Sequence, residues 1–218
     1  MTNTTKSTRL FILGATGGIG LQLVDQALKR RHQVTAFVRS PDKLGAARER
    51  LTVIQGDVRN ADVMSRALEG HDAVLSALGP PGPGRNTITS DSARATVAAM
   101  QSAGFDRLLV VGVAALFPDI GVFGHLLRST LLRNIADDSA EMERIVKASG
   151  LDWTIVRPPR LTNGPRRKHY GVADDRLPNG AGGNATISRA DVAHFMLDNV
   201  EQPGHLRRVV GIAYTRRA

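Results

Sequence analysis

The stretch GATGGIG, residues 14–20, places four glycines in seven residues, between the apolar run 10–13 and a segment whose apolar residues recur at helical spacing. Glycine adds backbone freedom that folding must remove, so neither a strand nor a helix interior favours it. Something else requires bare backbone here. The physical candidates are a tight strand-to-helix turn, a phosphate approaching backbone N–H groups, and a helix packed closely on its sheet.

Working outward, residues 10–13 read as a first strand, and Ile19, Leu23, Val24, Ala27 and Leu28 form the apolar stripe of the helix after it. Residues 33–38 are apolar and β-branched, hence strand two, and Ser40 with Pro41 starts a short helix. Strand three is expected at 51–54, a helix capped by Asn60 through Leu68, and strand four at 73–78. GPPGPGRN, 79–86, is loop by composition, and a helix at about 87–103 leads to strand five at 108–113. Met142, Ile145, Val146 and Ser149 give one face to a helix ending at Gly150, before strand six at 153–156. Trp153, the only tryptophan, reads as packing. After a Gly- and Pro-rich region from Pro158 to Asn184, Ser188 and Asp191 resemble a capping box ahead of a last helix, and 209–213 is a last strand.

Strands alternating with helices predict an α/β fold: a Rossmann-like, doubly wound, mostly parallel sheet with helices on both faces. We expect one domain over 9–218, with a small substrate-side region at about 159–187 and a flexible tail at 1–8. The polar start MTNTTKSTR, followed by four apolar residues, is too short for a signal-peptide core. With no apolar run of membrane-spanning length, the expectation is a cytoplasmic protein, monomeric or weakly dimeric.

Lys and Arg total 29 against 20 Asp and Glu, a net +9 that favours anionic partners. Aromatic residues make up 4%, too few for base-stacking platforms, so small phosphorylated or acidic molecules are expected rather than nucleic acid. No cysteine is present, and the six histidines show neither HExxH nor an i,i+4 pair, so no metal is expected.

In such sheets ligands bind at the carboxyl ends of the strands. Gly14, Thr16, Gly17, Gly18, Ile19 and Gly20 then form the turn and helix start that would meet a pyrophosphate. Their GxxGxxG spacing differs from the GxGxxG of many dehydrogenases, but their position after the first strand supports the reading. Strand two ends in VRSPDK. An acidic residue there would bind both ribose hydroxyls; Arg39, with Ser40 and Lys43 within a turn, suits a 2′-phosphate and favours NADP over NAD. A solvated surface arginine is the alternative. Asp57 and Val58 suit an adenine edge, although Asp57 fits a turn or cap equally. Ala77, Leu78 and Gly79 would let the cofactor backbone pass closely, and core packing explains Ala77 almost as well.

LFILGATGGIG, VTAFVRSPDKL, VIQGDV, VLSALG, and above all SGLDWTIVRPPRL followed by ISRADVAHFML, resemble the atypical short-chain dehydrogenase/reductases, the group that includes NmrA-like proteins and NADPH-dependent flavin and biliverdin reductases. The resemblance implies NADP(H) as cofactor, with FMN or FAD as a candidate substrate. Gly112, Val113 and Ala114 from strand five, and Pro158 and Pro159 after strand six, are then the candidates beside the nicotinamide. Ordinary short-chain reductases carry a YxxxK pair; here Tyr170 is followed four residues later by Asp174, and Tyr214 by Ala218. Reducing a carbonyl without a placed acid leaves a basic alkoxide, whereas a flavin or quinone delocalises the charge, so an acceptor of that kind is expected. Val113 stands at the flavin-reductase serine position and Arg160 at its histidine position. Neither keeps its chemistry, though Arg160 suits an anionic group such as a flavin phosphate.

Glu143 and Ser139, on the helix before strand six, are candidate proton-handling groups, with a solvent-facing position as the alternative. His125 is a candidate neighbour of the acceptor or a plain surface residue. Residues 117–133 are expected to form a mobile cover or to pack on a partner. Two functions are expected in order: an NADPH-dependent reductase of a conjugated acceptor, and a redox-sensing protein of NmrA-like type that holds NADP without turning it over. A sugar-nucleotide epimerase would need the missing tyrosine and lysine.

Overall fold

The computed structural model describes residues 7–80, 82, 84–118, 133–181 and 184–215. The first half alternates: β1 (Arg9–Leu13), α1 (Gly18–Lys29), β2 (Gln33–Val38), β3 (Leu51–Gln55), α2 (Ala61–Leu68), β4 (Ala73–Ser76), α3 (Ile88–Ala103) and β5 (Arg107–Val111). The second half contains α4 (Arg133–Ala148), β6 (Asp152–Arg157), β7 (Arg160–Thr162), β8 (Gly171–Asp174), β9 (Thr186–Ser188), α5 (Arg189–Glu201) and β10 (Arg208–Ala213). The helix expected at Pro41 is a four-residue 3₁₀ turn, Pro41–Leu44.

The main sheet has the order β3-β2-β1-β4-β5-β6-β10-β8, parallel except for β8, which runs antiparallel to β10. This is the expected doubly wound, Rossmann-like arrangement. Strand order reverses between β1 and β4, and a crevice opens at such a switch point.

Burial on both faces explains the near-continuous apolar strands. In β1, Leu10 and Ile12 enter the core beneath α1 and α5, while Phe11 and Leu13 enter the opposite core beneath α2, α3 and α4. All four are fully buried, which by area contributes roughly 1.5–3 kcal/mol each. Trp153 is buried in the second core, as expected. Two predicted helix starts carry their caps: Asn60 Oδ1 accepts from the Val63 N–H, and Ser188 Oγ accepts from the Asp191 N–H.

β4 and β5 end two residues earlier than predicted. Backbone bonding continues past each, from Ala77 N–H to Leu13, and from Gly112 N–H to Val156 and Ala114 N–H to Pro158. The region expected to be irregular contains two short strands, β7 and β8, with β9 just after it: β7 pairs with β9, and β8 closes the sheet edge. Three or four residues among glycines and prolines carry too little periodicity to reveal a strand.

Candidate functional site

At the carboxyl ends of β1 to β4 lies a cleft of about 520 Å³. Gly14, Thr16 and Gly17 reach it from the turn after β1, Arg39 from the end of β2, and Asp57 and Val58 from the end of β3. Ala77, Leu78 and Gly79 supply the β4 wall. The fold thus gathers nine of the sequence-predicted residues on one surface.

The glycines of the turn divide their roles. Gly14 has φ +73°, and a Cβ there would stand 2.7 Å from the Ala77 carbonyl, so the turn needs both left-handed backbone and bare space. A Cβ on Gly20 would overlap the Gly14 carbonyl oxygen, so Gly20 serves close packing of α1 on its own turn. Gly18 is exposed, and a Cβ there would come within 2.5 Å of the Arg189 side chain at Cδ. Ile19 is buried in the core, so only its backbone belongs to the helix start. The same positions that sequence spacing assigns to the phosphate also meet packing demands at Ile19 and Gly20.

The amino terminus of α1 also differs electrically from those of α2, α3 and α5. α2 has Asn60 and Asp62, and α5 has Ser188 and Asp191. α3 begins with Asp91 in its first turn and receives a carboxylate from another helix: Asp138 of α4 accepts from the Thr89 N–H at 3.0 Å, the Ser90 N–H at 3.1 Å and the Thr89 hydroxyl at 2.6 Å. α1 has Gly17 at its cap, no side-chain cap bond and no acid in its first turn. The positive end of its dipole is therefore left without a capping side chain, which suits a phosphate.

At the far wall, Arg39 is exposed. Asp57 accepts from Arg59 Nη2 at 2.5 Å and from Nε at 3.0 Å, and this bonded guanidinium holds its carboxyl down at about 2. Arg59 lines the cleft too and has no part in the sequence reading, because an acid and a base two residues apart in a turn carry no distinctive signature. The same holds for Asn86, Thr87 and Ile88 at the start of α3. Ser40 and Lys43 lie beyond Arg39 in and before the 3₁₀ turn, off the cleft lining.

The nicotinamide-side candidates meet through the ends of β5 and β6. Gly112 N–H donates to Val156 at 2.8 Å and Ala114 N–H to Pro158 at 3.1 Å, which sets Val113 next to Pro158 and Pro159. Arg160 is exposed and opens β7. The solvent-facing alternative for Glu143 and Ser139 is corrected: they are only 2% and 5% exposed. Glu143 accepts from Arg157 Nε at 2.8 Å and Nη2 at 2.7 Å and lies 3.2 Å from Lys147 Nζ. The pair sits directly behind Gly112, whose Cβ would stand 3.0 Å from Glu143 Oε1, and the Arg157 guanidinium lies over the Phe117 ring at 4.6 Å. Sequence spacing put Glu143 on the polar side of its helix because the arginine that neutralises it lies on another strand.

Both tyrosines are committed elsewhere. Tyr170 and Tyr214 line a separate pocket, with Tyr170 Oη 2.9 Å from His194 Nδ1 and Tyr214 donating to Asp191 at 2.6 Å. Burial pushes both hydroxyls upward, with Asp191 adding to the effect at Tyr214. Asp191 is itself resisted by burial, yet hydrogen bonds from Tyr214, the Lys168 and Arg167 N–H groups and Ser188 hold it below the usual carboxylate range. Most of the expected cover, 119–132 with His125, lies outside the described residues. Among the described residues no helix is long and apolar enough to cross a membrane, and no three acidic or histidine side chains cluster as metal ligands.

A family model described as NAD(P)H-binding matches residues 14–203. The chain is 28% identical over 205 residues to the uncharacterised protein YwnB of Bacillus subtilis, covering 90% of this chain and 94% of the relative. Among solved structures, a candidate epimerase from Bacteroides thetaiotaomicron superposes with a TM-score of 0.82 at 28% identity, over 98% of this chain and all of the other. A candidate NADH-flavin reductase from Streptococcus pneumoniae gives 0.78 at 25% identity, over 96% and 100%.

Proposed function

The chain belongs to the NAD(P)H-binding family, with a Rossmann fold of the kind found in atypical short-chain dehydrogenase/reductases, and on that footing we propose that it is an oxidoreductase that prefers NADPH and reduces a flavin, a quinone or a similar conjugated acceptor. The carrying observation is the uncapped amino terminus of α1, open to a cleft whose far wall presents Arg39.

These residues fit the dinucleotide. Gly14, Thr16 and Gly17 would surround the pyrophosphate with N–H groups, Arg39 would pair with the 2′-phosphate, and Asp57 and Val58 would meet the adenine. When bound, NADPH supplies a hydride, and solvent supplies the proton. The chain's own contribution is orientation: the ends of β5 and β6 hold Val113 and Pro158 in one place, and the Glu143–Arg157 pair stiffens them from behind. No tyrosine hydroxyl or free carboxylate is positioned there among the described residues, which favours an acceptor that needs no acid. The likeness to the candidate NADH-flavin reductase supports the same class. Arg160, exposed beyond Pro159, suits an anionic group on the acceptor.

Steady-state oxidation of NADPH and of NADH with added FMN or a quinone tests the proposal. Turnover well above the enzyme-free mixture, faster with NADPH, is expected. Tight binding with no turnover across such acceptors would instead favour an NADP-holding redox sensor.

A further inference from the structure

We infer that Arg189 is a pyrophosphate-holding residue, reaching from the start of α5 across the amino terminus of α1. The inference rests on the proposed dinucleotide site and adds a residue that the glycine spacing cannot reveal.

Three observations point the same way. Arg189 packs its stem where a Cβ on Gly18 would stand: Cδ would lie 2.5 Å from that atom, Nε 2.7 Å and Cζ 3.7 Å. A guanidinium is thereby held over a helix start that offers neither a side-chain cap nor an acid in its first turn. Asn163, in the segment after β7, accepts from Arg189 Nη1 at 2.7 Å, which aims the fork and leaves its other N–H groups free of that bond. Arg189 is also the first residue of its own helix, where a cation opposes the dipole. A residue that violates a local rule in this way marks a site with another demand on it. A planar fork beside free backbone N–H groups is well suited to two adjoining phosphates.

The surrounding bonds make the placement rigid. Ser188 and Asp191 bond each other around Arg189, and Gln26, in the later half of α1, donates to the Ala190 carbonyl at 2.8 Å and ties α1 to the start of α5. Asp191 accepts from the Arg167 and Lys168 N–H groups, so the turn that carries Arg189 also anchors the acceptor-side segment.

Calorimetric titration of the full chain and of Arg189→Met with NADPH, NADH and 2′-AMP tests the inference. Methionine keeps a stem over Gly18 and removes the charge. Both dinucleotides are expected to weaken about tenfold, as the loss of one charge-assisted hydrogen bond implies. 2′-AMP, which lacks a pyrophosphate, is expected to bind unchanged. Asn163→Ala, which frees the fork without altering the helix, should give a smaller loss in the same pattern and serves if Arg189→Met does not fold. Dinucleotide affinities equal to wild type in both variants overturn the inference and leave the proposed function standing. Equal weakening of all three ligands makes Arg189 merely structural and also overturns it. A wild-type chain that binds neither dinucleotide removes the proposed function and this inference together.

Discussion

The two halves of the site are built by different means. On the adenosine side, the turn after β1 and the ends of β2, β3 and β4 form the cleft largely with backbone and with residues that directly follow a strand. On the side proposed for the acceptor, side chains from different elements do the work: Glu143 of α4 is held by Arg157 of β6. The first half is therefore tolerant in its side chains and strict in its backbone, and the second is the reverse.

The sharpest way to break that contrast is Glu143→Ala. It leaves Arg157 buried without its carboxylate, for which we expect a loss of about 3–5 kcal/mol in urea unfolding. Gly14→Ala attacks the other half. Left-handed backbone and the overlap with Ala77 together should cost roughly 2–3 kcal/mol, and dinucleotide affinity should fall in the protein that remains folded. A Glu143→Ala chain as stable as wild type would remove the asymmetry.

Asp138→Ala falls between the halves, because it uncaps the helix that lends Thr87 and Ile88 to the cleft. A loss of about 1–2 kcal/mol is expected by chemical denaturation. The smallest effect concerns pH. The Asp57 carboxyl is lower in the folded chain, at about 2, than in an unfolded one, near 3.9. Its contribution is thus complete above about pH 4 and disappears as pH falls from there to about 2. Unfolding measured against pH should show Asp57→Asn slightly less stable at neutral pH and level with wild type at the acid end.

The same contrast explains what the sequence could reveal. The parallel strands of the main sheet and the helix caps at Asn60 and Ser188 follow from local periodicity and local hydrogen bonds, and so were legible. Gly14 was legible because a strand, a turn and a helix abut there. The contact between Gly18 and Arg189 was not legible, since the two lie 171 positions apart. Glu143 sits among charged helix residues, and only the fold brings Arg157 against it. Asp138 caps a helix to which it does not belong, and β7, β8 and β9 are too short to carry a pattern. Contacts that span the chain leave no spacing to read.

The central claim is that this cleft takes NADPH, with the turn after β1 on its pyrophosphate and Arg39 on its 2′-phosphate. Calorimetric affinities for NADPH and NADH, measured on wild type and on Arg39→Glu, test it most directly. The account predicts tighter NADPH binding by wild type, and in Arg39→Glu a loss of more than tenfold for NADPH with little change for NADH. Equal losses for both dinucleotides, or a preference that charge reversal leaves untouched, would contradict it.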